Sequence, residues 1–327
     1  MRIFTAILEN KTIDYEYYTS YNATIKNASG QGKGEPVMKK MIAIVMVALM
    51  LLSMLSGCTV ADNGPGKNKY NLKTVKEGYL TVLTSPDYAP YEFYALDEKG
   101  NPTLAGFDMA LAQYIADYLE LTLEVVPMDF KGIPDELGNG AGDLALAGLS
   151  PDPDRLLKMD FSDTYYEGKQ AFVTTKANAS KFTDLASTNS KDFTIAAQTG
   201  TIQMELAAEF SPDADIVSLT KATDIITELL SGQIDGAYVE WDVAASYQKN
   251  YPELQILCEV PYEAEGNVIG VSKGNADLLK YVNEALNKCV SEGTFAKYLE
   301  DANNLAAGDN YQGMLDPDGK VPTTNAG

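Results

Sequence analysis

The chain contains no histidine. That absence removes the commonest general base and the commonest metal ligand. Cysteine is almost as rare: three residues, at 58, 258 and 289, with no CxxC pair. A zinc site and a Cys/His nucleophile are therefore not expected, although a carboxylate-only enzyme stays open. Positive charge is scarce as well, with 25 Lys and Arg against 46 Asp and Glu and a net charge of −21. So acidic a surface argues against nucleic acid or an anionic membrane surface as a partner, and otherwise serves solubility. Only one long apolar run occurs, Met41 to Leu55, and it is short beside the ~20 residues of a spanning helix. What remains is 45% hydrophobic and 22% charged, a globular composition, and 327 residues suffice for two domains.

Lys39 and Lys40 precede the apolar run, and Leu55-Ser56-Gly57-Cys58 ends it. A basic segment, an apolar segment and small residues, in that order, describe an export signal. Leu-Ser-Gly-Cys resembles the lipobox of bacterial lipoproteins. The resemblance implies cleavage before Cys58, lipidation of its thiol, and an extracytoplasmic protein anchored to the cell membrane by that lipid. Residues 1–37 then form an upstream extension, with Met38 the expected start, and residues 1–57 carry no part of the fold. Residues 58–69 read as a tether, and residues 306–327, rich in Gly, Pro, Asp and Asn, as a flexible tail.

Between tether and tail one element occurs twice. Glu136, Leu137, Gly140 and Asp143 match Glu228, Leu229, Gly232 and Asp235 in spacing. Each copy reads as a helix end, a glycine stop, an acidic turn and a short buried strand, ending at Gly148 and at Glu240. Further strands are expected at 79–84, 123–126, 171–175, 193–197, 254–260 and 268–271. Helices are expected at 107–121, 202–210, 225–230 and 277–299, the last broken near Gly293. Alternation of this kind gives βαβ architecture and a parallel sheet, whose ligands sit beyond the carboxyl ends of the strands. The chain thus reads as two similar lobes facing one cleft.

Four sets of residues stand where such a cleft would be. Gly148, Ser150 and Arg155 follow the first repeat strand, and a guanidinium fork matches a carboxylate in bidentate fashion. Gln198-Thr199-Gly200-Thr201-Ile202 joins a strand to a helix N-terminus, which favours an anionic ligand group. Glu240 ends the second repeat strand and suits an ammonium. Tyr88, in the loop after the first strand, offers an aromatic face, whereas Tyr91 reads as core. Cys258 and Cys289 read as buried free thiols rather than a bridge.

The order of these pieces resembles the type II bacterial extracellular solute-binding proteins of polar amino-acid ABC transporters. LTVLTSPDYAPYEF (80–93), LAGFDMALAQYIA (104–116), DLALAGLSPDPDR (143–155), IAAQTGTIQ (195–203) and DGAYVE (235–240) carry it, over roughly residues 78–303. The resemblance implies two Rossmann-like α/β lobes, each with a central mixed, mostly parallel sheet, joined by two hinge segments. Their expected bounds are 70–169 with 263–305 for lobe 1 and 170–262 for lobe 2. It implies that Tyr88 stacks on an amino acid and that Gly148, Ser150 and Arg155 hold its carboxylate with Thr201 and Ile202. It also implies that Glu240 holds the ammonium and that Gln198 reads the side chain. The family often has Asp where Ser85 stands, so Ser85 and Gln198 together point to a neutral side chain, unless Asp87 or Glu92 enters the pocket. No cofactor and no metal are implied. A monomer that delivers an amino acid to permease subunits is the leading expectation. A bilobal enzyme, such as a dehydratase of a small carboxylate, and an extracellular sensor domain are the alternatives.

Overall fold

The computed structural model describes residues 64–97, 100–262 and 266–307. Cys58, the expected signal and most of the tail lie outside the described residues. In chain order the elements are β1 (Tyr79–Thr84), β2 (Asp87–Tyr88), β3 (Glu92–Leu96), β4 (Pro102–Ala105), α1 (Phe107–Leu119), β5 (Thr122–Pro127), α2 (Ile133–Gly138), β6 (Leu144–Ala145), α3 (Pro153–Leu156) and β7 (Met159–Phe161). There follow β8 (Gln170–Thr175), β9 (Thr194–Gln198), α4 (Ile202–Phe210), β10 (Asp215–Leu219), α5 (Ala222–Ser231), β11 (Gly236–Glu240), α6 (Trp241–Asn250), β12 (Leu254–Val260), β13 (Gly270–Ser272), α7 (Ala276–Ser291) and α8 (Thr294–Ala306).

Two five-stranded sheets have the same plan. The first runs β5-β1-β6-β13-β7 and the second β10-β9-β11-β8-β12. In each, three parallel strands lead to an antiparallel fourth, β13 or β8, which pairs antiparallel again with an edge strand. The sheets are thus mixed, with a parallel side and an antiparallel side, and the molecule has two α/β lobes. A small antiparallel sheet, β2-β3-β4, sits on the first.

Apolar periodicity explains the layers. In α1, Phe107, Leu111, Ile115 and Leu119 are buried on one stripe, and Tyr114 and Tyr118 flank it, their hydroxyls reaching Glu292 and Glu284. On the opposite side of the first sheet Ile133 and Leu137 of α2 pack with Leu83, Ala145 and Met159. Phe172, Ile195, Leu206 and Tyr238 form one core of the second lobe, and α5 and α6 cover its other face with Ile226, Leu229, Val243 and Tyr247. Each such side chain contributes ~1.5–3 kcal/mol on burial.

The duplicated element keeps its glycines for one reason. Gly140 and Gly232 both lie in the left-handed region, at φ 81° and 75°, where a Cβ is strained. In each copy the N–H one residue on donates to the helix carbonyl of the matching glutamate, Ala141 to Glu136 and Gln233 to Glu228, both at 2.9 Å. The strands that follow differ. β11 runs five residues to Glu240, but β6 pairs over Leu144–Ala145 alone, shorter than the expected strand to Gly148.

The chain passes between lobes twice, between β7 and β8 and between β12 and β13. The crossovers bond to each other: Tyr165 N–H donates to Asn267 O at 2.9 Å and Asn267 N–H to Tyr166 O at 2.6 Å. From Gly64 the chain is docked on the first lobe, through Gly66, Asn68 and Lys69 and a Tyr70–Tyr281 stack at 3.9 Å, although residues 58–69 read as a tether. Cys258 is half-buried and Cys289 buried; both are free thiols. No helix of the described residues is long and apolar enough to cross a membrane.

Candidate functional site

Four strands end at one cleft. The loop after β1 brings Ser85 and Tyr88, the turn after β6 brings Gly148, Ser150 and Arg155, the β9–α4 junction brings Gln198, Thr201 and Ile202, and β11 brings Glu240; all nine line a single pocket. Asp87, Glu92, Phe130, Ala147, Gln170, Gln203 and Asn267 complete it.

Arg155 dominates the first wall. Asp152 caps α3 by accepting the N–H groups of Asp154 and Arg155 at 2.8 and 3.0 Å, which fixes the base of the arginine. Its guanidinium lies over the Phe130 ring at 5.3 Å, donates Nη1 to Ser150 O at 2.9 Å, and reaches across the cleft to donate Nη2 to Gly200 O at 3.0 Å. Burial lowers its pKa, so the cation stands where a carboxylate would relieve it. Gly148 departs from the expected carboxylate contact. Its N–H is spent on Asp108 Oδ2 at 3.0 Å. Its role is shape: φ is 56°, and a Cβ there would meet the Tyr88 ring at 3.1 Å. The Ser150 side chain bonds the Tyr262 hydroxyl.

The second wall is polar and already bonded in part. Thr201 turns its hydroxyl back to Gln198 O at 2.7 Å, and no side chain caps the N-terminus of α4. Gln198 does not present a free amide to the cleft: Nε2 donates to Asp87 Oδ2 at 3.2 Å and to Thr220 O at 3.1 Å. Ser85 donates to Asp87 Oδ1 at 2.8 Å. The two neutral side chains that pointed to a neutral ligand are thus both engaged by Asp87. Gln203, one residue into α4 from Ile202, donates to Gln170 Oε1 at 2.8 Å and to the Tyr88 hydroxyl at 3.3 Å.

Carboxyl groups set the electrostatics. Glu240 is 2% exposed and caps α6, with Oε2 accepting Val243 N–H at 2.9 Å. Its Oε1 is buried beside the Tyr91 hydroxyl. Burial first, and Asp242 second, push its pKa to about 8. Glu92 is wholly buried; no N–H or hydroxyl group donates to either oxygen, and its carboxyl shares a hydrogen bond with that of Asp108. Burial, then the neighbouring Asp108 and Asp87, hold its pKa well above the carboxylate range. Burial raises Asp108 to about 6 although Gly148 N–H and the Tyr165 hydroxyl stabilise its anion. The carboxyl groups of Asp87, Glu92 and Glu240 and the guanidinium of Arg155 line the pocket. Tyr91 is core, as expected. Among the described residues no cluster of three or more His, Cys, Asp or Glu could hold a metal ion.

Of the lining residues, no motif singles out Phe130, Gln170 and Asn267, and Gln203 ends the string IAAQTGTIQ without an assigned role. Asn267 enters from the second crossover, donating Nδ2 to Gly148 O at 2.9 Å, and only the fold brings it there. Glu92 lies in SPDYAPYEF, where its alternation with buried Tyr91 and Phe93 hides the fact that all three are buried.

The model for bacterial extracellular solute-binding proteins, family 3, matches residues 80–302. The chain belongs to that family. Among its relatives, the arginine-binding extracellular protein ArtP of Bacillus subtilis (strain 168) is 29% identical over 265 residues, covering 80% of this chain and 96% of ArtP. An amino acid ABC transporter substrate-binding protein from Streptococcus pneumoniae Canada MDR_19A, solved bound to L-arginine, is 37% identical with a TM-score of 0.65, covering 69% of this chain and 93% of that one. The ancestral amino acid-binding protein AncCDT-1, a precursor of cyclohexadienyl dehydratase, is 31% identical with a TM-score of 0.62, covering 69% and 96%. Solute-binding proteins of this family share the two-lobe fold described above.

Proposed function

We propose that this solute-binding protein captures a cationic amino acid, of the arginine type, between its lobes and delivers it to the permease of an ABC transporter. The observation that carries the cationic reading is Glu92: a carboxyl group buried in the pocket wall with no N–H or hydroxyl donor on either oxygen and only the Asp108 carboxyl as partner. A guanidinium or ammonium at the end of a ligand side chain supplies such donors and draws the carboxyl to its anion. Arg155 takes the α-carboxylate, Glu240 the α-ammonium, and Tyr88 covers the aliphatic stem. Thr201 and Ile202 offer the uncapped N-terminus of α4 to the carboxylate. The relatives that bind arginine support this class over the neutral one read from Ser85 and Gln198.

In the same reading the lobes are residues 70–169 with 263–305 and residues 170–262, the paired crossovers act as the hinge, and Cys58 carries the lipid anchor. The protein is a receptor and not an enzyme. A carboxyl like Glu240, neutral near pH 7, is also what a dehydratase would use as an acid, so incubation with small hydroxy acids should leave them unchanged.

Calorimetry of L-arginine, L-lysine and L-glutamine against wild type and Glu92→Gln tests the assignment. Arginine should bind more tightly than glutamine. The substitution should weaken arginine roughly 10- to 100-fold, the worth of a hydrogen bond to a charged group, and leave glutamine within a few-fold. Tighter binding of glutamine to wild type would overturn the cationic reading.

A further inference from the structure

The loop that carries Tyr88 also carries Asp87, whose contacts are unlike those of any other pocket carboxyl. Helix α5, in the second lobe, begins with the wrong residue. Its N-cap position is Lys221, which makes no side-chain cap hydrogen bond. Ser, Thr, Asp and Asn are the residues that satisfy the free amides of a first turn, and a cation at that end opposes the helix dipole. The missing acceptor comes from the other lobe. Ala222 N–H, the first amide of α5, donates to Asp87 Oδ2 at 2.6 Å, across 135 positions of sequence.

Two more second-lobe donors reach the same residue. Gln198 at the end of β9 donates to Oδ2 at 3.2 Å, and the Tyr247 hydroxyl of α6 donates to the Asp87 main-chain oxygen at 3.2 Å. Within its own lobe Asp87 is held ready: Ser85 donates to Oδ1 at 2.8 Å, and β2 is paired to β3 with Asp87 opposite Phe93. Lys221, so poorly placed for its own helix, favours the Asp87 anion. Both oxygens are therefore occupied by protein, in contrast to Glu92, and none of these bonds requires a ligand.

We propose that Asp87 is a latch: a first-lobe carboxylate that completes the N-terminus of second-lobe helix α5 and so holds the cleft shut around the amino acid. It is a positioning residue. It acts on how long the lobes stay together and not on which groups touch the ligand. The inference rests on the two-lobe capture reading, and on the fact that opening the cleft separates Asp87 from Ala222, Gln198 and Tyr247 at once.

Two substitutions break the same bond from opposite sides. Asp87→Ala removes the acceptor. Ala222→Pro removes the donor at the first position of a helix, where proline is well tolerated, keeps the Asp87 carboxylate, and pushes it off the helix end with the ring carbon that replaces the amide hydrogen. Stopped-flow binding of L-arginine to the full chain should show dissociation roughly 10- to 100-fold faster in each single variant, with the association rate no lower than in wild type. The double variant should be no faster than the worse single one. X-ray scattering of the ligand-free proteins should show a larger radius of gyration in both variants than in wild type. Dissociation rates and scattering within twofold of wild type in both variants would overturn the latch, as would independent, multiplying effects in the double variant. Failure of wild type to bind any amino acid would instead count against the receptor reading. The ligand-free scattering comparison would still decide the latch.

Discussion

At the entry to β6 the N–H of Asp143 donates to Thr81 O at 2.8 Å, and its carboxylate receives Thr81 N–H at 2.8 Å; at the entry to β11 Asp235 does the same with Thr194, at 2.8 and 3.0 Å. Each aspartate thereby ties the third parallel strand of its sheet to the first. From this common frame the two copies diverge. In lobe 1 pairing stops at Ala145, Gly148 turns the chain with a positive φ, and α3 lifts Arg155 into the cleft. In lobe 2 the strand continues to Glu240, which ends it and caps the next helix. The frame decides where a strand end meets the cleft. The few residues past it decide the sign of charge offered there. One wall presents a guanidinium and the other a carboxyl, the arrangement that reads the two ends of a zwitterion.

Removing either charge should have the largest effect. Arg155→Ala should weaken amino-acid binding by roughly 30-fold to several-thousand-fold, the ~2–5 kcal/mol lost when one member of a buried charge pair is truncated. Glu240→Gln should cost about as much for an amino acid and far less for its des-amino analogue, which has no ammonium to lose. Calorimetry of L-arginine and des-amino arginine against both variants separates the walls. Equal losses for both ligands in Glu240→Gln would mean that Glu240 does not meet the ammonium.

A smaller effect sharpens the same contrast through pH. Buried in the cleft wall, Glu240 has a pKa of about 8, against an ordinary 4.5 for a hydrated glutamate, chiefly through burial. A pKa raised by closure means that closure binds protons. The contribution of Glu240 to closure without ligand is therefore fully present below about 4.5 and is lost as pH rises through about 8. Ligand-free protein should accordingly expand in X-ray scattering between pH 5 and pH 8.5. Arginine-saturated protein should not expand, because an ammonium stabilises the Glu240 anion. Glu240→Gln should flatten most of the ligand-free response. Arg155, a cation over the whole range, should give no such dependence.

How far the molecule was legible in its sequence follows the same division between frame and tips. Alternation and helical spacing placed β1, β12 and α4 at their observed bounds, and the stop at Gly293 divides α7 from α8. The repeat was visible because its glycines and aspartates answer local backbone needs. Elements set by tertiary context were not visible. β10 is a half-buried edge strand whose apolar Ile216, Val217 and Leu219 do not alternate strictly, and the polar helix α6 is capped by Glu240, a residue already read as a strand end. At the site, the nine residues named from motifs all line the pocket. Their bonding was readable only for Ser85, two positions from Asp87: that Gln198 and Ala222 also serve Asp87 depends on partners more than a hundred positions away, and that Glu92 has no N–H or hydroxyl donor depends on burial.

The smallest effect is the one that asks whether the two frames are equivalent in energy as well as in geometry. Asp143 is 1% exposed, and its two oxygens accept two main-chain amides, Val75 at 2.7 Å and Thr81 at 2.8 Å. An asparagine there must turn its NH2 toward one of those N–H groups and leave a buried donor unsatisfied, a cost of about 1–3 kcal/mol. Asp235 has one amide partner, Thr194, and its second oxygen meets Lys181 at 2.7 Å with that lysine side chain 44% exposed. An asparagine at 235 keeps its oxygen on Thr194, turns its NH2 outward, and loses only an exposed ion pair, worth about 0–1 kcal/mol. Thermal melts of Asp143→Asn and Asp235→Asn should thus differ by several degrees, at roughly 2–4 °C per kcal/mol for a domain of this size, with Asp143→Asn the lower. Equal melting temperatures would mean that the amide pair at Val75 contributes nothing, and that the first lobe's frame needs no more than the single strand-to-strand bond that suffices in the second.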